Sequence, residues 1–177
     1  MGTSSAADLW DELAAGAAAE SPLWADALSS EPERSPVFSA LAPPEHALGV
    51  ETIYEGYLVH YAHPRLFAPA DADTALLLGD YLYAHGLVRI AESGDVDAVH
   101  DLAELISLCA QARADEADGD GAAWAATTAL LGSGALDEAR SALRDDRDPG
   151  PLERLARDAA GDAAVDRALA AHALRLR

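Results

Sequence analysis

Apolar residues recur along this chain at steps of three and four, which is the spacing of one face of an α-helix. The clearest series lies between Pro44 and Pro64 and consists of Ala47, Val50, Ile53, Tyr54, Tyr57, Leu58 and Tyr61. A second series follows Asp73, which is predicted to cap it, and contains Leu76, Leu77, Leu78, Leu82, Leu87, Val88 and Ile90. Because apolar residues surround much of its circumference, this second helix is predicted to be central and the most buried.

The rest of the chain carries weaker helical patterns separated by Pro, Gly and Ser. Further helices are predicted up to about residue 20, after Pro22, and over residues 96–114, 122–131, 135–143 and 152–174. The last has mostly small apolar residues, so weak docking or fraying is expected. The pattern therefore predicts an all-α, irregular bundle of about seven helices in a single domain. Its parts are N-terminal helices and a loop at 1–44, a helical core at 45–144 and a C-terminal helix at 145–177.

The net charge of the chain argues against some classes of binding partner. Thirty-one acidic residues oppose twelve basic ones, all of them Arg, which gives a formal net charge of −19. Such a field repels nucleic acid and anionic lipid surfaces, so neither is an expected partner. No signal peptide or membrane span is visible, and a cytoplasmic protein is expected. Cys109, the only cysteine, excludes an internal disulfide and is predicted to be a buried, inert thiol.

Two segments carry a resemblance to a known family. Residues 50–60 read Val-Glu-Thr-Ile-Tyr-Glu-Gly-Tyr-Leu-Val-His, with Glu51 nine residues before His60. Residues 77–82 read Leu-Leu-Gly-Asp-Tyr-Leu. Over about residues 45–135 the chain resembles the trans-isoprenyl diphosphate synthases, the polyprenyl synthetase family. The resemblance implies a partial isoprenyl synthase core in which the Leu-Val-His helix would lead into an Asp-Asp-x-x-Asp motif.

The aspartates of that motif are missing here. Tyr61, Ala62 and Arg65 occupy their positions, and no Lys is present to hold a diphosphate. Tyr, Ala and Arg do not coordinate Mg²⁺, which prefers carboxylate oxygens. The acidic run at 145–148 is followed directly by Pro149, and it is interpreted as a solvated turn. The sequence favours a protein without prenyltransferase activity and leaves other catalysis open.

Two functional hypotheses follow. The first is a non-catalytic accessory or interaction subunit, paired with a catalytic prenyl synthase subunit or with itself. The alternative is a metal-independent binder of an isoprenoid or another apolar small molecule. Its candidate pocket, which could equally be an interface, consists of Tyr54, Tyr57, His60, Tyr61, Tyr81 and His85. A third idea, an acidic mimic of nucleic acid, is supported by net charge alone.

Metal and cofactor sites are not predicted. His60 and His63 are three residues apart, and Glu51, Glu55, His85 and His100 could join them around zinc or iron. Hydrogen-bonded histidines in a bundle are the preferred interpretation. Residues 116–121 resemble a calcium loop only faintly, because Thr127 stands where the closing Glu is needed. Asp80 is predicted to be a buried structural acid, with Arg89 as its candidate partner.

Overall fold

The computed structural model describes residues 6–177, and their side chains from residue 9 onward. Helices dominate this part of the chain, and it contains no strand, which confirms the all-α prediction. Nine α-helices are present where about seven were predicted: α1 Ala6–Glu20, α2 Pro22–Asp26, α3 Ala47–Tyr61, α4 Ala72–Ala91, α5 Val96–Ala114, α6 Asp120–Ala129, α7 Asp137–Asp146, α8 Gly150–Ala160 and α9 Asp162–Arg175. Two 3₁₀ turns, Ser39–Leu41 and Pro44–His46, lead into α3.

The central helix is α3, and the prediction that gave this place to α4 is wrong. Eleven consecutive residues of α3, from Gly49 to Val59, are buried. Helix α4 buries only five of its twenty residues, because its leucines are distributed around the helix while only one side packs inward. Asp71, rather than Asp73, caps α4 and accepts a hydrogen bond from the Thr74 N–H at 2.8 Å.

Helices α3 and α4 run antiparallel and approach closely through glycines. A Cβ on Gly86 would lie 3.0 Å from the Gly49 carbonyl oxygen, and a Cβ on Gly56 would lie 3.0 Å from the Gly79 carbonyl oxygen. The two glycines of each helix are seven residues apart, so both pairs fall on the same facing stripe. The absent side chains let the two backbones pack directly against each other.

The C-terminal segment is two helices, not the single helix predicted over residues 152–174. Gly161 separates α8 from α9 and has φ +84°, a backbone conformation that favours glycine. The expectation of weak docking is also wrong. Leu152 and Val165 are fully buried, and His172 is nearly so. Small residues here permit close packing on α6 instead of fraying.

The apolar interior forms two clusters. The larger joins α3 to α5, α6, α8 and α9 and includes Phe38, Trp124 and the buried Cys109. The smaller lies between α1, α2 and α4 and includes Trp24, Phe67 and Leu82. Cys109 is buried as predicted, and burial raises the pKa of its thiol. The polar side chains of α3 are buried where these two clusters meet.

Candidate functional site

Helix α3 carries two glutamates, Glu51 and Glu55, one turn apart and completely buried. Glu55 Oε1 accepts the backbone N–H groups of Arg65 and Leu66, at 2.7 and 2.6 Å. Glu51 Oε1 accepts those of Val37 and Ser39, both at 3.2 Å. The two carboxylates therefore fix the segments before and after α3 onto the helix.

Arg65 lies between these glutamates. Its Nη1 is 2.7 Å from Glu51 Oε2, and its Nε donates to Glu55 Oε2 at 3.0 Å. Its guanidinium carbon lies 4.6 Å from the ring centre of Trp10 and 4.9 Å from that of Tyr54. Burial alone would lower the pKa of Arg65, but the charges of Glu51 and Glu55 raise it above its ordinary value. Arg65 is thus a buried cation held between two buried acidic side chains, which is the pattern of a structural triad.

A second polar cluster, here called the Asp120 network, connects four helices. The Asp120 carboxylate, at the first residue of α6, accepts hydrogen bonds from the Tyr57 hydroxyl and from Arg113. Its other oxygen lies 3.6 Å from His172 Nε2 on α9. The second ring nitrogen of His172 is 2.8 Å from the Tyr54 hydroxyl.

The protonation states of this network follow from its geometry. Burial would raise the pKa of Asp120, but the nearby His172 imidazole, the hydrogen bond from Tyr57 and the charge of Arg113 hold it well below its usual range. Burial, and then the Asp120 charge, raises the pKa of the Tyr57 hydroxyl far above its usual value. Asp120 is therefore an anion and Tyr57 a neutral donor, so the cluster joins α3, α5, α6 and α9 in a fixed arrangement.

The six residues predicted to share a pocket or interface separate into three places. Tyr54 and Tyr57 are fully buried in the polar clusters described above. His60 and Tyr61 lie at the C-terminal end of α3, where their rings are 5.5 Å apart. Tyr81 and His85 stack on each other along α4, at 5.2 Å, and Tyr81 also stacks on Trp24. The structure does not bring all six around one common space.

Asp80 is exposed, which corrects the prediction of a buried acid. Its side chain is 67% exposed and lies 3.2 Å from His60 Nε2. Arg89, its predicted partner, pairs instead with Glu12 at 2.9 Å. The preceding residue, Gly79, faces α3, and its missing side chain accommodates the His60 ring. Asp80 therefore lies on a side of α4 that is open to solvent.

The histidines considered as metal ligands are dispersed. His60 faces Asp80, whereas His63 and His100 are exposed on different elements. Throughout the described residues, no group of three His, Cys, Asp or Glu side chains is arranged to hold a metal ion. The faint calcium loop at 116–121 contributes Asp120 to the buried network instead.

Sequence reasoning missed Asp120, Arg113 and His172, together with the buried pair of Asp101 and Arg140 at 2.9 Å. Asp120 and Tyr57 are 63 residues apart, and Tyr54 and His172 are 118 apart. One local signal was present. Asp120 opens the apolar run Gly-Ala-Ala-Trp, where a carboxylate stabilises the start of a helix and becomes buried with it.

Two features of the surface are accessible to other molecules. One is a cavity of about 520 Å³ between α1, residues 36–44 and the start of α3; none of the six predicted pocket residues lines it. The other is the outer face of α4, defined here as Leu76, Leu77, Asp80, Ala84, Val88 and Ala91, which are all exposed. Both surfaces are accessible for contacts with other molecules.

No protein-family model matches the chain, and no curated protein and no solved structure is significantly similar to it. Within residues 6–177, every helix is too short or too polar to cross a membrane.

Proposed function

We propose that this chain is a non-catalytic, isoprenyl-synthase-like helical protein that acts as an accessory or interaction subunit through the outer face of α4. The observation that carries this proposal is the exposure of Leu76, Leu77 and Val88, at 55%, 55% and 54%. Leu77, Ala84, Val88 and Ala91 follow the spacing of one helix face. An apolar stripe of this kind is what a partner helix covers.

The polar core is consistent with the non-catalytic part of the proposal. Tyr61 and Ala62 stand at two of the positions that the family resemblance assigns to aspartates. Arg65, at the third, is held between Glu51 and Glu55. The Nε and Nη1 groups of Arg65 contact these glutamates, and the side chain is only 2% exposed, so a substrate outside the fold does not reach it.

The charge of the surface indicates what kind of partner fits. Asp73 and Asp80 on α4, and Glu92 directly after it, are exposed around the apolar stripe. A second copy would bring the same acidic groups and another net charge of −19, which opposes self-association. The expected partner is a different protein with a helix whose apolar stripe is flanked by basic residues. The resemblance makes a catalytic prenyl synthase subunit the first partner to test.

The test is a tagged pull-down from the native cell, with mass spectrometry of the co-purifying proteins. The double variant Leu77→Ser with Val88→Ser removes the apolar face without disturbing buried residues. Each buried aliphatic side chain contributes about 1.5–3 kcal/mol, so we expect at least a roughly tenfold loss of the partner.

The matched control is Leu174→Ser with Leu176→Ser, two exposed leucines at the end of the chain's described part. It should recover the same partner as the unmodified protein. Equal recovery from the α4 variant would show that α4 is not the docking face. Recovery of no prenyl synthase would remove that partner from the proposal.

A second candidate function, the binding of an apolar small molecule, is favoured by the cavity near α1. Its volume of about 520 Å³ is within the roughly 300–1,000 Å³ of ordinary ligand sites. The location differs from the pocket that the sequence suggested, so the residues around Leu48 replace those around His60 as the ones to probe.

A further inference from the structure

The cavity near α1 has walls from three parts of the chain. Leu9 and Trp10 come from α1, Pro36 and Ala40 from the segment before α3, and Leu48 from the first turn of α3. These walls are apolar, and they suit a hydrocarbon body of modest size.

The charged groups at this cavity are all acidic. Glu12 and Glu45 line it, and no Arg or His is among its lining residues within the described chain. Glu12 is already paired with Arg89 at 2.9 Å. Glu45 is exposed and forms no ion pair with residues 9–177. Glu45, at a cavity whose walls are mainly apolar, is therefore free to pair with a cation.

We propose that this cavity binds an apolar small molecule that carries a protonated amine, with its hydrocarbon part against Trp10 and Leu48 and its ammonium group at Glu45. The inference rests on the second candidate function and does not depend on the docking face of α4. It adds the charge of the ligand to the apolar character of the site.

The same charges argue against anionic ligands. A carboxylate or diphosphate headgroup would face Glu45 within a molecule whose net charge is −19. A neutral alcohol would gain the apolar contacts alone. The order of affinity expected for molecules of equal chain length is amine, then alcohol, then carboxylate.

Isothermal titration calorimetry with decylamine, decanol and decanoate, below micelle formation, tests this order on the full chain at neutral pH. Glu45→Gln should weaken decylamine binding about fivefold, because partly exposed charge pairs are modest, and should leave decanol binding unchanged. Glu138→Gln is the charge-matched control, since Glu138 is exposed on α7 and outside the cavity. It should leave binding of all three molecules unchanged.

A second variant separates the cavity from the charge. Ala40→Trp fills the cavity from an exposed position, and it should abolish binding of decylamine and decanol alike. Ala159→Trp adds the same bulk at an exposed position of α8, outside the cavity, and should leave binding of both molecules unchanged. Equal affinities for the three probes, lost in Ala40→Trp, would overturn the cationic ligand and leave the apolar site standing. Binding unaffected by Ala40→Trp, or no binding, would overturn both, and melting curves of each variant confirm that it is folded.

Discussion

Buried ion pairs carry much of the specificity of this molecule at the scale of single residues. Two of the twelve arginines, Arg65 and Arg140, are almost completely buried, and each is paired with acids that are also buried. Removing one partner of such a pair leaves a charge without compensation, which costs more than the pair itself contributes. Replacing Arg65 with aspartate would have the same effect, because the new carboxylate would lie beside the buried Glu51 and Glu55 with no cation between them.

Asp120 offers the cleanest test of such a pair. Asp120→Asn keeps the shape but removes the charge that holds Arg113, Tyr57 and His172, so we expect a loss of about 2–3 kcal/mol in the free energy of unfolding at pH 7. The pKa of Asp120 is lowered in the folded protein, so its contribution is fully present above the ordinary aspartate pKa of 3.8. It declines as pH falls below that value.

The measurement is urea unfolding of both proteins between pH 7 and pH 3. The difference between them should be constant down to about pH 4 and then shrink. Asp118→Asn, an exposed neighbour two residues earlier, should match the unmodified protein throughout. A difference that grows in acid would show that Asp120 is not the ionised partner.

At this scale the sequence predicted the helix face on which a side chain lies better than it predicted the residues that the side chain contacts. Tyr54 and Tyr57 were placed correctly on one face of a helix, because a periodic pattern is local information. Their partners, His172 and Asp120, lie on other helices, and only the packing of α6 and α9 brings them within reach. Periodicity carries no signal for that kind of contact.

At the scale of elements, the antiparallel pair of α3 and α4 depends on residues without side chains. Gly→Ala in a helix ordinarily stabilises it by about 0.5–1 kcal/mol. At Gly86 the added Cβ would lie 2.4 Å from Ile53 Cγ1 and 3.0 Å from the Gly49 carbonyl oxygen. The helices would have to separate to admit it.

We therefore expect Gly86→Ala to lower the free energy of unfolding by about 1–3 kcal/mol, as overpacked cores do. Gly16→Ala is the control, because its Cβ would lie 3.1 Å from the flexible end of Arg89 and at an ordinary contact distance of 3.8 Å from His85 Nε2. Thermal melts monitored by circular dichroism measure both. A Gly86→Ala protein as stable as Gly16→Ala would mean that the two helices are not in direct backbone contact.

The positions of the helices along the chain were largely predictable, but the extent to which each helix is buried was not. The break before Val96 defined the start of α5 closely, and there Asp95 accepts the Ala98 N–H as a helix cap should. The residues Ser4 and Ser5 that could cap α1 lie outside the described residues. Helix α4 appeared the most buried because leucine counts measure apolarity and not packing. The glycines at 79 and 86 show which side faces α3, and that side leaves Leu76, Leu77 and Val88 outside.

At the scale of the whole molecule, the excess of negative charge acts on every helix at once. The net charge of −19 repels itself more strongly in the compact state than in the extended chain. Salt screens this repulsion, with a Debye length near 10 Å at about 0.1 M. The protein should therefore become more stable as salt is added.

We expect the melting temperature to rise by several degrees between low salt and about 0.5 M NaCl, and then to level off. Potassium chloride should give the same curve, because screening depends on ionic strength. A rise that continues through molar salt would indicate an acidic surface adapted to salt. A fall would mean that the surface ion pairs outweigh the repulsion.

Several of the residues that carry the resemblance to isoprenyl synthases have packing roles in this molecule. Glu51 holds the segment before α3, and the His60 ring occupies the space beside Gly79. Composition and periodicity predicted the all-α class because they are properties of the whole chain. Neither could predict that Arg65 is buried between two glutamates of α3.

The contact between Tyr54 and His172 also bears on the order in which the protein is made. Tyr54 is added to the growing chain 118 residues before His172. Until then the Phe38, Tyr54 and Tyr57 rings lack the imidazole that packs against them. The aromatic centre therefore closes only after translation has passed residue 172, and a chaperone that binds exposed aromatic segments would meet this chain before that moment.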